Sequence, residues 1–290
     1  MLKKLLRKIL GCRKDETIRD CTFRHKINFQ KIFYRKTIEI KDFEKQLRKS
    51  GIKEGDNIML HSAWRAFFNY IGKPEDVIDT ILEIIGKQGT LIMPCYGKNK
   101  KNFDVDNDPS AAGVISEAFR KYKGVYRSHG SHFACAALGP KAKYLTEEHK
   151  FSKYGFDKYS PYSKFVDLEN SKIVMLGLGK NSVKLSLYHL PEMLLKDTDK
   201  FYGSLFKRTY TSFVYHKEKD KIIKEEHKNM IMREDTIPNK KNIKKIYKQD
   251  FTIRKKISNI DIVVINAKKA LKYILTESSN KRYMIRKKII

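Results

Sequence analysis

The sequence predicts a single compact α/β domain with a mixed, largely parallel central sheet flanked by helices, an additional antiparallel hairpin and a basic N-terminal extension. Short apolar runs of strand length alternate with segments of helical periodicity, which is the pattern of parallel strands joined by crossover helices. The pattern changes near residue 210, where two strand-like segments flank a polar turn. The chain of 290 residues shows neither an internal repeat nor a long low-complexity linker, which favours one domain.

Apolar spacing and proline positions identify the elements of the first half. Apolar residues three or four apart indicate one face of a helix, whereas a short continuous apolar run indicates a buried strand. Pro74 suits a first helical turn, where its missing N–H is not needed, and Pro94 ends a strand because it cannot continue the ladder. The predicted elements are a helix with Ile40, Phe43 and Leu47 that ends at Ser50-Gly51, a strand over 57–61, a helix from Pro74 to Gly86, a strand over 89–94, a loop over 102–109, a helix through Ile115, Phe119 and Tyr122, and a strand over 133–138.

The second half contains the most apolar strand and a helix with two titratable side chains. The strand covers residues 172–179 and ends in Gly177-Leu-Gly179. The helix begins near Ser186 and carries His189 and Glu192. Between residues 210 and 232 the pattern predicts a hairpin that turns around Lys217–Lys221.

The chain is strongly basic, with 62 Lys+Arg against 33 Asp+Glu and a formal net charge of +29. The excess is concentrated at both ends, since residues 1–36 carry 12 basic and 3 acidic residues and residues 236–290 carry 16 and 3. Such a charge suits a polyanionic partner, or reflects lysine-rich surface positions. Neither end has a nucleic-acid recognition motif, so we do not expect nucleic acid as a partner.

The sequence predicts a basic N-terminal extension over residues 1–36 and a main domain over residues 37–290. Within residues 1–14, leucines and isoleucines at helical spacing alternate with basic residues. Two interpretations stay open: a helix on an anionic membrane surface, or a terminal helix packed on the domain. We expect neither a signal peptide nor a spanning helix. The four cysteines form no CxxC pair, which suits a cytoplasmic protein, at most peripheral at the inner face of the membrane.

Candidate chemistry lies where the predicted strands end, because open α/β sheets leave a crevice at the carboxyl ends of their strands. His61 and Ser62 follow the first strand, and Gly177 and Gly179 follow a later one. His189 and Glu192 are three residues apart and share a helix face. A carboxylate beside an imidazole fixes its tautomer and raises its basicity, as a general base requires. By itself, such a pair is more often structural than catalytic.

Other arrangements give weaker signals. His129 and His132 are potential metal ligands, but no carboxylate or thiolate lies near them at ligand spacing, so we expect no metal site. The chain has no GxSxG elbow, no P-loop and no GxGxxG motif.

Several short sequence blocks follow one another between residues 37 and 230. They are His61-Ser62-Ala63, Gly86-Lys-Gln-Gly89-Thr-Leu-Ile-Met93-Pro94, Glu117-Ala-Phe-Arg120, Gly124-Val125, Arg127-Ser128, Ala136-Ala-Leu-Gly139-Pro140, Ser160-Pro161, Met175-Leu-Gly-Leu-Gly179 and Ser186-Leu-Tyr-His189-Leu-Pro-Glu192. In this order and spacing, the blocks resemble those of the aminoglycoside 3-N-acetyltransferase family.

The resemblance implies acetyl transfer from acetyl-CoA to a primary amine, usually on a sugar, without a metal. It implies His189 as the general base, supported by Glu192, and a further catalytic acidic group after the hairpin turn. We assign that group to Glu226, with Glu225 or neither residue as open alternatives. The cofactor-binding residues that we predict are His61, Ser62, Ala63, Arg127, Ser128, Phe133, Ala134, Cys135 and Ser186. Among them, Ser186 is the candidate donor to the tetrahedral oxyanion.

Two departures from the family pattern bear on the acceptor. After the Met-Pro strand, where members that bind aminoglycosides offer an acidic residue, this chain has Lys98, Lys100 and Lys101, which would repel a polycation. The loop 129–134 also differs from the family's His-Pro-x-His-Ser.

Three functions therefore remain under consideration. The first is an N-acetyltransferase acting on a nucleotide-linked or lipid-linked amino sugar in surface-polysaccharide synthesis. The second is an aminoglycoside-modifying resistance enzyme. The third is an inactive relative that acts as a basic binding protein. The oligomeric state does not follow from the sequence.

Overall fold

The computed structural model describes residues 2–14, 16–179, 182–232 and 236–288. The elements of the first half are α1 (Leu2–Ile9), α2 (Ile18–Phe33), α3 (Ile40–Lys49), β1 (Asn57–Ser62), α4 (Pro74–Ile85), β2 (Thr90–Pro94), β3 (Asn102–Asp104), α5 (Val114–Phe119), β4 (Tyr126–Arg127), β5 (Cys135–Leu138) and α6 (Ala142–Thr146). Those of the second half are α7 (Pro161–Asp167), β6 (Ser171–Leu176), α8 (Leu190–Leu194), α9 (Lys200–Gly203), β7 (Phe206–Glu218), β8 (Lys221–Met232), β9 (Thr236–Pro238), α10 (Lys240–Ile246), β10 (Thr252–Ile257), β11 (Ile260–Asn266), α11 (Ala267–Ser279) and β12 (Ile285–Lys287).

The central sheet has the strand order β10-β11-β6-β1-β2-β5-β4 within the described residues. β1 pairs in parallel with both β2 and β6, and the strands outside this group pair antiparallel. The predicted mixed α/β sheet is therefore confirmed, with its parallel part at the centre. Because parallel strands run in one direction, β1, β2 and β6 end at the same edge of the sheet.

Helices cover both faces of the central sheet. Successive side chains of a strand point to opposite faces. Ile58 and Leu60 of β1 therefore belong to the buried cluster that includes α3 and α4, whereas Met59 belongs to the cluster that includes α7 and α11. The result is a three-layer arrangement with apolar packing on each side of the sheet.

The predicted hairpin is confirmed as β7 and β8, which pair along their length. Lys219 and Asp220 join them, and both have positive φ (42° and 68°), the conformation that tight hairpin turns require. β3 pairs in parallel with β7. The loop predicted over residues 102–109 thus contains a short strand, because its backbone lies beside β7 and finds hydrogen-bond partners there.

Several predicted boundaries differ from the structure. The strand expected over residues 172–179 ends at Leu176. The helix expected to reach Tyr122 ends at Phe119. The strand expected from Phe133 begins at Cys135, because Phe133 has a φ of +56°, which a strand does not allow. The helix expected from Ser186 is a 3-10 turn over Ser186–His189 followed by α8, in which Pro191 occupies the first turn and supplies no N–H to the preceding turn.

The N-terminal segment contains two helices, α1 and α2. α2 contacts the rest of the chain through the ring of Phe23, 5.7 Å from the Arg65 guanidinium, and that of Phe68, 5.9 Å from Lys31. A division of the chain at residue 36 stays a prediction. Within the part of the chain that the structure describes, no helix has the length and apolar character needed to cross a bilayer.

Candidate active site

A cleft of about 290 Å³ opens at the carboxyl ends of β1 and β2. It lies at the edge of the sheet where open α/β folds place their ligand sites. Its lining residues come from the ends of these strands, from the segment after β6 and from aromatic side chains of nearby loops. They are Leu60, His61, Ser62, Met93, Pro94, Tyr96, Ala112, Ser116, Phe133, Phe156, Tyr162, Leu178, Val183, Lys184, Leu185, Ser186, Tyr188 and His189.

His189 and Glu192 form the pair that the sequence predicts. The His189 Nδ1 atom lies 2.7 Å from the Glu192 carboxylate. The Glu192 side chain is 4% exposed, whereas that of His189 is 21% exposed and lines the cleft. The imidazole also stacks on Phe156, with ring centroids 4.9 Å apart. A buried carboxylate thus holds one ring nitrogen, and the accessible side of the ring faces the cleft.

His61 and Ser186 meet in the same cleft, from segments far apart in the chain. The His61 Nε2 atom lies 3.0 Å from the Ser186 hydroxyl oxygen. Burial, with a smaller effect of Lys184, lowers the pKa of His61 to about 4. The ring is therefore neutral near pH 7. If its Nε2–H donates to Ser186, the serine hydroxyl hydrogen points to another acceptor, which in this structure is the Met59 sulfur at 3.4 Å.

Ser186 and His189 are placed together by the 3-10 turn that contains both. Residues three apart on a 3-10 helix eclipse each other, so the two side chains point in one direction. The turn therefore brings a hydroxyl and an imidazole to one side of the cleft.

Aromatic side chains form the apolar wall of the cleft. The rings of Phe133 and Phe156 pack at a tilt with their centroids 4.8 Å apart, and those of Phe156 and Tyr162 pack in the same way at the same distance. The positive φ of Phe133 turns its side chain toward this wall at the start of β5. Such a wall suits an apolar, extended part of a ligand.

The charge on the cleft is positive. None of the lining residues that the structure describes is acidic, and Lys184 contributes a cation. Lys98, Lys100 and Lys101 are exposed shortly after the lining residue Tyr96. Burial and, to a smaller extent, the positive charge of Lys100 lower the pKa of His132 to about 4.

Arg127 is not brought to the cleft. Its guanidinium donates to the carbonyls of Cys95, Val105 and Asp108 at 2.9, 2.8 and 2.7 Å, and lies over the ring of Phe103. These contacts use the side chain to hold loops together, so the structure does not support the predicted contact with a cofactor.

Ser128 is likewise buried away from the cleft. Its hydroxyl lies 2.8 Å from His149 Nδ1 and accepts the backbone N–H of Cys135 at 2.9 Å. Burial lowers the pKa of His149 to about 3, which keeps that ring neutral. Ser128 thus belongs to a buried hydrogen-bond network behind β5 and does not line the cleft, where its predicted cofactor-binding role would require it.

Ala63, Ala134 and Cys135 lie behind the lining residues. The Ala63 N–H donates to the carbonyl of Leu176 at 2.9 Å, and Ala134 accepts from the Cys95 N–H. Cys135 is fully buried in β5, and burial raises the pKa of its thiol. Of the predicted cofactor-binding residues, His61, Ser62, Phe133 and Ser186 are on the cleft.

Glu226 does not reach the cleft, because side chains alternate along β8. Glu226 points outward and is exposed, whereas Glu225 and His227 point inward. Glu225 lies 3.8 Å from His129 and 3.5 Å from His216. The structure therefore does not place Glu226 at the cleft, where a catalytic acid was predicted. Glu225 belongs to a cluster with histidines instead.

Sequence reasoning missed most of the aromatic wall, Lys184 and this histidine cluster. Tyr96, Phe156 and Tyr162 are separated from His189 by long stretches of chain, and nothing in their local sequence marks them. The sequence indicates only part of the cluster, because His129 is a potential metal ligand. His216 and Glu225 reach it through the pairing of β7 and β8, which no local pattern specifies.

Comparison with known proteins decides the family. A family model described as aminoglycoside 3-N-acetyltransferase matches residues 59–276. The chain belongs to the aminoglycoside 3-N-acetyltransferase family. The resemblance found in the sequence blocks is thereby confirmed.

The curated relatives in this family are distant. The chain is 27% identical to aminoglycoside N(3)-acetyltransferase IX of Micromonospora chalcea over 162 residues, which cover 48% of this chain and 56% of that protein. It is 28% identical to aminoglycoside N(3)-acetyltransferase IV of Salmonella sp over 154 residues, which cover 52% and 57%. The chain thus spans little more than half the length of the curated relatives it matches.

Solved structures share the fold more completely. AAC-IIIb in a binary complex with CoASH has a TM-score of 0.69 and 19% identity, and the match covers 85% of this chain and 98% of that one. AAC-VIa bound to sisomicin has a TM-score of 0.66 and 18% identity, with 85% and 99% covered. These similarities show that the fold is that of the family's enzymes.

Proposed function

We propose that this chain transfers the acetyl group of acetyl-CoA to a primary amine of an amino sugar. The observation that carries the proposal is the His189–Glu192 pair, which stands on a cleft at the carboxyl ends of the parallel strands in a member of this family. The curated relatives are named as N-acetyltransferases, which supports the same reaction class.

In the proposed reaction His189 is the general base. The Glu192 carboxylate accepts a hydrogen bond from Nδ1–H, which leaves the Nε2 lone pair to take a proton from the acceptor's ammonium or amine. The amine nitrogen then attacks the thioester carbon, and a C–N bond forms as the carbonyl oxygen gains negative charge. Collapse of this intermediate breaks the C–S bond. The CoA thiolate leaves and takes up the proton that His189 holds, and an acceptor that enters as an ammonium loses its additional proton to solvent.

Ser186 is the proposed donor to the oxyanion. Its hydroxyl is held at 3.0 Å by His61, whose low pKa keeps that ring neutral. A neutral ring that donates through Nε2–H orients the serine oxygen without adding a competing charge. The hydroxyl then exchanges its weak contact with the Met59 sulfur for a bond to the oxyanion, where negative charge develops.

The apolar wall at Phe133 and Phe156 suits the pantetheine arm of CoA, and Ser62 lies at the end of β1 beside it. Lys184 suits the CoA phosphates, because charge-assisted bonds from cationic side chains to phosphate are strong. Support for CoA as the acyl carrier comes from AAC-IIIb, a structure of the same fold that was solved with CoASH.

Aminoglycosides are the first acceptors to test. The names of the relatives favour them over an acceptor in surface-polysaccharide synthesis, and AAC-VIa was solved with sisomicin. A neutral or anionic amino sugar, such as a nucleotide-linked one, is the second candidate. The observation that favours it is the cleft itself, where Lys184 is present and no acidic residue stands among the described lining residues.

An acceptor panel tests the proposed reaction. With acetyl-CoA and a thiol reagent, we expect CoA release with sisomicin or with a UDP-linked amino sugar, and none without an acceptor. If the acceptor is the polycation, Lys100→Gln raises kcat/KM about twofold, since two unit charges about 8 Å apart in water interact by about 0.5 kcal/mol. If the acceptor is nucleotide-linked, Lys100→Gln lowers kcat/KM instead.

Lys87→Gln is the matched control, because Lys87 is also exposed but precedes the amino end of β2, at the opposite edge of the sheet. Its kcat/KM should stay at the wild-type value. Absence of CoA release with every amine would contradict the proposed reaction and favour a basic binding protein.

Substitution of the catalytic pair tests its role. We expect His189→Ala to lower kcat at least about 100-fold, the usual effect of losing a general base. Glu192→Gln should lower kcat by a smaller factor, because the amide oxygen still accepts the Nδ1–H hydrogen bond although it carries no charge. His25→Ala, a change at an exposed histidine of α2, should leave kcat unchanged. A His189→Ala variant that folds and turns over at the wild-type rate would rule out this assignment.

We also propose that α1 binds anionic membrane surfaces. Leu5 and Ile9 are 56% and 71% exposed on a helix that also carries Lys4, Arg7 and Lys8. Exposed apolar residues between basic ones are typical of helices that lie in a membrane interface.

Vesicle co-sedimentation tests this membrane contact. The double variant Leu5→Ser and Ile9→Ser should bind phosphatidylserine vesicles at least about tenfold more weakly, since each apolar side chain contributes about 1.5–3 kcal/mol when buried. Ile222→Ser is the control, because Ile222 is 77% exposed at the hairpin tip. Equal binding by the two variants would exclude α1 as the contact.

A further inference from the structure

A cluster of two histidines and a glutamate lies apart from the cleft-lining residues. His129 is in the loop between β4 and β5, His216 is on β7 and Glu225 is on β8. On the hairpin, Val214 pairs with Glu225 and His216 with Ile223, so His216 and Glu225 project from the same face. That face meets the loop at His129, whose ring centroid is 4.2 Å from that of His216.

The distances in the cluster suit ligands that share one ion. Glu225 oxygens lie 3.8 Å from His129 Nδ1 and 3.5 Å from His216 Nε2, and the donor atoms of the three residues lie within 4.8 Å of one another. These separations exceed an ordinary N–H···O hydrogen bond of about 2.7–3.2 Å. Two ligands about 2.0–2.1 Å from a tetrahedral metal are separated by about 3.3 Å. Small side-chain rotations would therefore bring all three onto one ion.

The buried nitrogen of His216 is an independent observation. The residue is 5% exposed, and its Nε2 atom has no hydrogen-bond partner. Buried polar atoms in folded proteins nearly always have a partner, so an unpartnered one calls for a ligand. The atom is the one that lies nearest to Glu225.

We propose that His129 Nδ1, His216 Nε2 and the Glu225 carboxylate bind a divalent transition metal of the Zn²⁺ type. Imidazole nitrogens with one carboxylate are a donor set that suits zinc, and three protein ligands leave a fourth position for water.

The neighbours of the cluster are consistent with this site. His227 Nε2 lies 3.4 Å from Glu225 and orients the carboxylate from the same strand. Glu218 lies 3.9 Å from His216 Nδ1, the ring nitrogen that a metal leaves free and that commonly bonds to a carboxylate. Lys150 lies 3.9 Å from Glu225 and must turn away as the ion binds. Its side chain is 42% exposed, so it can turn into solvent.

The ion would join the loop at His129 to the hairpin. That loop also carries Phe133, which is part of the cleft wall four residues further on. A metal bound to the folded chain stabilises it by mass action. The ion would thus connect two segments of the chain, and the proposal does not depend on the acetyl-transfer reaction.

Metal binding by the full chain tests the proposal. After treatment with EDTA and desalting, the protein should bind one equivalent of Zn²⁺ by calorimetry, and its Tm should rise with Zn²⁺. Co²⁺ should give the intense visible absorption of a low-coordinate site. Glu225→Gln and His216→Ala should each weaken Zn²⁺ binding at least about tenfold, as loss of a ligand or its support does.

His25→Ala is the control, because it removes an exposed histidine outside the cluster and should leave the affinity unchanged. The wild-type Co²⁺ spectrum keeps the proposal testable if a cluster variant fails to fold. Zinc binding that persists in folded Glu225→Gln and His216→Ala, or a wild-type protein that shows only the weak octahedral spectrum of Co²⁺, would overturn the site.

Discussion

The hydrogen bond between His189 Nδ1 and Glu192 joins a side chain on the cleft to one that is almost fully buried. A buried carboxylate is costly unless it has a partner, so Glu192 favours the arrangement in which His189 points toward it. The 3-10 turn over Ser186–His189 and the helix that follows place the two groups three residues apart. The orientation of the imidazole, and with it the proposed base, therefore follows from burial of its partner.

The ends of the central strands lie around the His189–Glu192 pair. β1, β2 and β6 end at one edge of the sheet, which brings His61 and Ser62 opposite the turn that contains Ser186. The cleft then combines an apolar aromatic wall with a positive rim. Such a combination suits acetyl-CoA, which has a thioester at one end of the long pantetheine arm and phosphates at the other.

Features that depend on local sequence could be predicted, and those that depend on distant contacts could not. The His189–Glu192 pair follows from helical spacing, and α4 follows from Pro74 and its apolar stripe. The contact of His61 with Ser186 spans 125 residues, and no local pattern specifies it. The inward position of Glu225 rather than Glu226 depends on the register of the hairpin. β10 is masked by its own sequence, since it is an edge strand whose exposed basic residues hide its apolar ends. β11 is an apolar run without lysine, and its strand pattern went unpredicted although it is local.

The protonation of His189 in the resting protein tests the central claim most directly. In ¹⁵N NMR of histidine-labelled protein near pH about 7.5, where free imidazole is neutral, the resonances of His189 can be assigned by their loss in His189→Gln. We predict a proton on Nδ1 and a bare Nε2, because Glu192 accepts from Nδ1–H. A neutral ring with its proton on Nε2 would contradict this, since the nitrogen facing the cleft would then have no lone pair with which to accept a proton.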